Sequence, residues 1–148
     1  MPTLTYKPIS MFGYKKLFKV MYDEVGDLLE KSLKQLGFSN RKFFKLFSTK
    51  GEVFTIHHEE TECGFYWIEK RENILHIHAL IIRKAFQRQG IGSQVLKDIE
   101  NHLTEGVTTL ELGVHESNHP ARHLYEKQGF IETKYYDEYG YYVMQKTL

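Results

Sequence analysis

Apolar and polar positions change their period along this chain, and the change divides it into helical and extended stretches. Val25, Leu28, Leu29, Leu33 and Leu36 recur at spacings of three and four, which places them on one face of a helix. Asp23 and Glu24 suit the positive N-terminal end of such a helix, and Gly37 is placed to end it in a left-handed conformation. Before it, Leu4-Thr5-Tyr6-Lys7 reads as a short strand stopped by Pro8, which has no N–H for a ladder. Asn40 is placed to cap a second, short helix carrying Phe43, Phe44 and Phe47.

From Val53 the pattern becomes strand-like. Residues 53–57, 64–70 and 73–82 are β-rich runs divided by Glu59-Glu60-Thr61-Glu62 and Arg71-Glu72, and such short links require an antiparallel meander. Val95, Leu96, Ile99 and Leu103 then give a helix over 93–103. A strand at 109–114, a helix from Pro120 to Lys127 and two closing strands, 131–136 and 141–146, complete the order. This is an α+β arrangement around a mixed sheet.

Composition narrows the classes. A chain of 148 residues, 41% hydrophobic and with a net charge of +1, suits one ordinary domain over 1–148 and excludes a disordered polyelectrolyte. The total conceals a polarity: residues 1–50 hold ten Lys/Arg against four Asp/Glu (+6), and the remainder ten against fifteen (−5). The near-zero balance gives no reason to expect a nucleic-acid partner; Lys42, Lys45 and the phenylalanines between them are the only stretch suggesting one, and core packing is the commoner use of Phe at that spacing. Lone Cys63 forms no internal disulfide and no thiolate metal set, so a reducing, cytoplasmic setting is expected. No apolar run approaches a membrane span, and Met1 to Ser10 lacks an apolar signal-peptide core.

Candidate chemistry concentrates in three segments. Gln87-Arg88-Gln89-Gly90-Ile91-Gly92, with Ser93 opening the next helix, lies between a long strand and a helix N-terminus. Unpaired backbone N–H groups there face the positive end of a helix dipole, which makes an anion site. Glycine lets a diphosphate approach the backbone, and Arg83, Lys84 and Arg88 add positive charge. The dinucleotide fingerprint fails because Val95 stands where a third glycine is needed, and the P-loop fails for want of Gly-Lys-Ser/Thr. A Gly-x-Gly turn also serves purely structural ends.

His76-Ile77-His78-Ala79-Leu80 is the second segment. Residues two apart in a strand share a face, so His76 and His78 project together while Leu75, Ile77 and Ala79 face the other way. The pair suits acid–base work on an ammonium substrate, structural hydrogen bonding, or metal binding, although no third ligand is evident and no metal is expected. Tyr125 is the third candidate. Its phenol can protonate a departing thiolate, and Ala121, four residues earlier, leaves room for a ligand on the same helix face; equally, an aromatic there can be core. His115 and Glu116 follow a strand end and are substitute bases.

Gln87-x-x-Gly90-x-Gly92 after Leu80-Ile81-Ile82 resembles the Arg/Gln-x-x-Gly-x-Gly/Ala signature of the GNAT superfamily, the acetyl-CoA-dependent N-acetyltransferases. Asn118-His119-Pro120-Ala121-Arg122-His123-Leu124-Tyr125-Glu126-Lys127-Gln128-Gly129-Phe130 resembles that family's later Asn-x-x-Ala-x-x-x-Tyr-x-x-x-Gly-Phe motif, and the order of elements matches the fold over nearly the whole chain. The resemblance implies a GNAT fold of six to seven strands and acetyl-CoA as co-substrate. It places the pyrophosphate on the N–H groups of 87–92 and the pantetheine arm on the main chain of Leu80 and Ile82 and on Asn118. The His-x-His-Ala-Leu run is similar locally to arylalkylamine N-acetyltransferases, in which paired histidines act as acid and base. The activity so implied is acetyl transfer to a primary amine, small and aromatic by preference, by a monomer or homodimer. A non-catalytic acyl-CoA-binding module is the rival reading.

Overall fold

The computed structural model of the protein describes residues 2–148. The strands are β1 (Leu4–Pro8), β2 (Glu52–His58), β3 (Thr61–Arg71), β4 (Ile74–Ile82), β5 (Thr109–His115), β6 (Ile131–Tyr136) and β7 (Tyr141–Thr147). The helices are α1 (Tyr14–Leu36), α2 (Asn40–Thr49), α3 (Ile91–His102) and α4 (His119–Lys127). The strands form one seven-stranded sheet in the order β1-β2-β3-β4-β5-β7-β6, antiparallel except between β4 and β5. The α+β class and the mixed sheet expected from the sequence are therefore observed.

The sheet is covered on both faces. Along β3, Phe65 and Trp67 point toward α1 and α2, into a core with Leu17, Val20, Met21 and Phe47. Tyr66 and Ile68 point the other way, toward Ile91, Val95 and Ile99 of α3 and Tyr125 of α4. A strand buried on both faces shows no polar alternation, and the GFYWI run of β3 has that composition. Phe47 has no exposed surface and packs on Phe65 and Trp67, and Phe43 packs on the same cluster, so these two phenylalanines of the basic stretch build the core.

Several local expectations are corrected. Asp23 and Glu24 lie within α1, not at its start, because α1 begins at Tyr14 and bends at Val25 (φ −135°, ψ 25°). Glu24 Oε1 instead accepts the backbone N–H of Lys84 at 3.1 Å. Ser39, not Asn40, caps α2, its hydroxyl accepting from the N–H of Lys42. The turn after β2 contains only Glu59 and Glu60, both at positive φ, and β3 already starts at Thr61.

One irregularity positions the site. The β3–β4 register passes from Ile68↔Ile77 to Trp67↔Ala79, leaving His78 as an extra residue in β4. A one-residue bulge shifts the phase of every side chain beyond it. Leu75 and Ile77 pack on the α3 side, and so do Leu80 and Ile82, whereas Ala79 joins the α1–α2 side. Strict alternation therefore misplaces Ala79. The parallel ladder between β4 and β5 ends at the same point, its last rung being Ile77↔Leu112. Beyond it β4 stays with β3 and β5 stays with β7, so the sheet splits and a cleft opens.

Candidate active site

One end of the cleft is a loop of free backbone donors. After β4, the Arg83 N–H closes on the carbonyl of Cys63 at 2.8 Å, a 3-10 turn spans Lys84–Phe86, and the chain enters α3 through Arg88 (φ 63°) and Gly90 (φ 79°). The backbone N–H groups of residues 88–93 (Arg88, Gln89, Gly90, Ile91, Gly92 and Ser93) make no hydrogen bond within the described residues. Ile91 is buried and pins the loop, while Arg88 and Gln89 are exposed.

The two glycines have different reasons. Gly90 has open space where a side chain would stand, but its left-handed φ disfavours one. At Gly92 an added Cβ would lie 3.1 Å from Leu124 Cδ2, so this glycine serves the packing of α3 on α4. The polar side chains brace the loop: Gln87 Nε2 donates to the Ile82 carbonyl at 2.8 Å, and Gln89 Nε2 to that of Ala85 at 3.4 Å. Arg83 is committed to Glu62 at 2.8 Å, which leaves Lys84 and Arg88 as the exposed cations. With Arg83 N–H bonded toward β3, period-two alternation turns the main-chain groups of Leu80 and Ile82 toward the cleft.

The other end is a cavity of about 700 Å³ between α1, α2 and the split sheet. Its wall is largely apolar: Met21, Val25, Leu29, Leu33, Phe43 and Trp67 contribute, with the bend in α1 at its edge. Its polar groups come from β3, β4, β5, β7 and α4. His76 Nδ1 lies 2.8 Å from Glu111 Oε1, and His78 Nε2 lies 2.8 Å from Glu69 Oε1. The imidazoles meet edge to face with centroids 4.6 Å apart, and His78 stacks on Trp67 at 4.3 Å. Each ring thus donates one N–H to a carboxylate and keeps the other nitrogen as an acceptor.

Burial holds both histidines below the ordinary imidazole range, His78 at about 4, against the opposing pull of their carboxylates. Hydrogen bonds from Arg71 and His78 hold Glu69 low. Burial pushes Glu111 upward, but hydrogen bonds from Gln145 and His76 outweigh it. At neutral pH the site therefore presents neutral imidazoles beside ionised carboxylates.

Tyr125, Ala121 and Asn118 line the same cavity from α4 and its cap. Tyr125 is buried, its pKa is pushed up to about 12 by burial, and no described residue hydrogen-bonds its hydroxyl. Asn118 Oδ1 caps α4 by accepting from Ala121 N at 3.3 Å, which leaves its amide nitrogen for other partners. His115 also faces the cavity, but its Nδ1 is engaged with Ser117 Oγ at 2.7 Å. Opposite it Tyr141 and Ser32 share a hydrogen bond of 2.5 Å.

Sequence reasoning therefore named the histidines, the loop and the tyrosine, and missed Glu69, Glu111, Arg71, Trp67 and Gln145. The register pairing Glu69↔His76 and His76↔Glu111 makes the carboxylates adjacent, and no local pattern reveals a cross-strand partner.

Known proteins share this fold. The fold superposes on the PaiA N-acetyltransferase of Thermoplasma acidophilum, solved with coenzyme A, at a TM-score of 0.74 and 16% identity over 99% of both chains. It superposes on a GNAT family acetyltransferase of Elizabethkingia anophelis, solved with acetyl-CoA bound, at 0.73 and 19% over 98% of both. An acetyltransferase of Thermus thermophilus gives 0.75 and 18% over 100% of both. These likenesses concern the fold. The sequence itself matches the acetyltransferase (GNAT) family model over residues 21–130, and with most of its length so matched the chain belongs to the acetyltransferase (GNAT) family and is an acyltransferase.

Proposed function

We propose that the protein transfers the acetyl group of acetyl-CoA to a primary amine with a small apolar, preferably aromatic, body. The observation that carries this reading is the split between β4 and β5, which joins the free donors of residues 88–93 to a largely apolar cavity holding two neutral histidines. The residues fit the co-substrate: consecutive unpaired N–H groups suit a pyrophosphate, and the left-handed Gly90 keeps the loop open to it. Acetyl-CoA, when bound, supplies the activated acyl thioester.

The chain's own residues do the rest. The Leu80 and Ile82 main chain and Asn118 orient the pantetheine arm, and the Leu80 N–H polarises the acyl carbonyl. The histidine pair, His76 and His78, supplies the acceptor for the proton of the ammonium, because only a neutral amine has a lone pair for attack. Tyr125, kept protonated by burial, donates its O–H toward the departing sulfur. The apolar wall formed by α1, Phe43 and Trp67 takes the body of the acceptor and keeps water out. Measured acetyl-CoA consumption over aromatic amines, polyamines, amino sugars and peptides tests this. Aromatic amines should give the highest kcat/KM, and a preference for polyamines or peptides would overturn the acceptor class.

A further inference from the structure

The two histidine–carboxylate pairs are unequal, and the inequality identifies which histidine takes the proton. Glu69 accepts Arg71 Nη2 and His78 Nε2 on the same oxygen, Oε1, at 3.0 and 2.8 Å. A guanidinium is always charged, so Glu69 is already compensated before His78 titrates. Glu111 accepts His76 on Oε1 and the neutral amide of Gln145 on Oε2, both at 2.8 Å, and no Lys or Arg among the described residues pairs with it.

His76, Glu111 and Gln145 also stand on one rung of the sheet, paired in register across β4, β5 and β7, one rung before the ladder ends at the cleft. Backbone hydrogen bonding of three adjacent strands therefore fixes the spacing of the three side chains. Stacking on Trp67 favours a charged His78 by about 0.5–1.5 pH units, whereas an unshared carboxylate in contact is worth about 1–3 units.

We infer that Glu111 is a positioning residue that makes His76, rather than His78, the acceptor of the amine proton, with Gln145 holding Glu111 in place. Glu111 keeps His76 as the Nδ1–H tautomer with Nε2 open to the substrate. The ammonium N–H bond breaks, its electron pair stays on the amine nitrogen, and the proton forms an Nε2–H bond on His76. The resulting imidazolium stays paired with the Glu111 carboxylate. The other titratable or charged groups around the cavity are Glu69, Arg71 and His78 on β3 and β4, His115 on β5, Tyr141 on β7, Tyr125 on α4 and Lys50 after α2. This assignment rests on the proposed use of the histidine pair as base, but its test does not require turnover.

Nitrogen NMR of the histidines in the full chain, titrated from pH 8 to 4 without ligand, reads both tautomers and the order of protonation. His76 should be Nδ1–H and His78 Nε2–H, and His76 should protonate first. Glu111→Gln should lower the His76 titration by about one pH unit or more and Gln145→Ala should move it less in the same direction, while Glu69→Gln should leave His76 protonating first. Identical tautomers, His78 protonating first, or a His76 titration unmoved in Glu111→Gln would overturn the inference. With acetyl-CoA and 2-phenylethylamine as probes, the acid limb of kcat should move with the His76 titration. Wild-type turnover by His76→Ala, with the NMR result intact, would instead remove the histidine from the reaction and leave the pairing standing.

Discussion

The two ends of the cleft are made of different material. The loop over 87–93 works with backbone groups of consecutive residues, shaped by a left-handed Gly90 and pinned by a buried Ile91. The cavity works with side chains from β3, β4, β5, β7 and α4, residues far apart in sequence that meet only where the sheet splits. A backbone site survives most side-chain changes and fails when the chain path changes. A side-chain site fails one residue at a time. On the function proposed above, holding a polyanion belongs to the loop and moving protons belongs to the cavity.

Substitutions that affect one end and spare the other sharpen this contrast. The largest expected effect is from Tyr125→Phe, which should lower kcat by about 10²–10⁴-fold, the usual contribution of a general acid, with little change in coenzyme A affinity by calorimetry. Coenzyme A binding lost in parallel would mean that Tyr125 belongs to the binding end. Gly90→Ala should act in the opposite sense. Forcing a Cβ into a left-handed conformation costs about 1–2 kcal/mol, so coenzyme A should bind roughly 5- to 30-fold more weakly while the histidine titrations stay unchanged. A shifted His76 or His78 titration in that variant would show that the two ends are coupled.

The smallest effect is on stability. His57, His76, His78 and His115 are all held below the ordinary imidazole range, chiefly by burial. The unfolded chain then binds more protons than the folded one between about pH 6.5 and, for His78, about 4. Stability should be full above pH 6.5 and fall on acidification through that window, by on the order of 5 °C in Tm. A Tm independent of pH there would contradict the burial of the imidazoles, and variants at His76 and His78 should flatten the profile more than Arg88→Ala in the exposed loop.

Legibility followed the same division. The loop was readable because its glycines, the end of β4 and the start of α3 are contiguous, and because helix termini leave donors free by geometry alone. His76 and His78 were readable as a pair because their spacing matches a strand. Their partners were not: Glu69 reaches His78 from β3, and Glu111 reaches His76 from β5, through a strand order that no local pattern encodes. Ala79 was misassigned because a bulge at His78 breaks the period-two rule, and bulges arise from how two strands fit, not from either alone. Gly92 carries a second constraint that local sequence does not show, since an added Cβ would crowd Leu124 on α4, a neighbour visible only after folding.

By itself the sequence determined the succession of elements, the glycine loop of free backbone donors and the histidine pair, because these depend on dihedral preference, hydrophobic period and contacts within a few residues. Tertiary structure decided that β4 and β5 separate after Ile77 and Leu112, that the guanidinium of Arg71 hydrogen-bonds Glu69 and acts on Glu111 only at a distance, and that His76, Glu111 and Gln145 share one rung. Strand order and register are collective properties of the packed sheet. The electrostatic environment of each histidine is set by residues that the chain brings together only when all seven strands are in place.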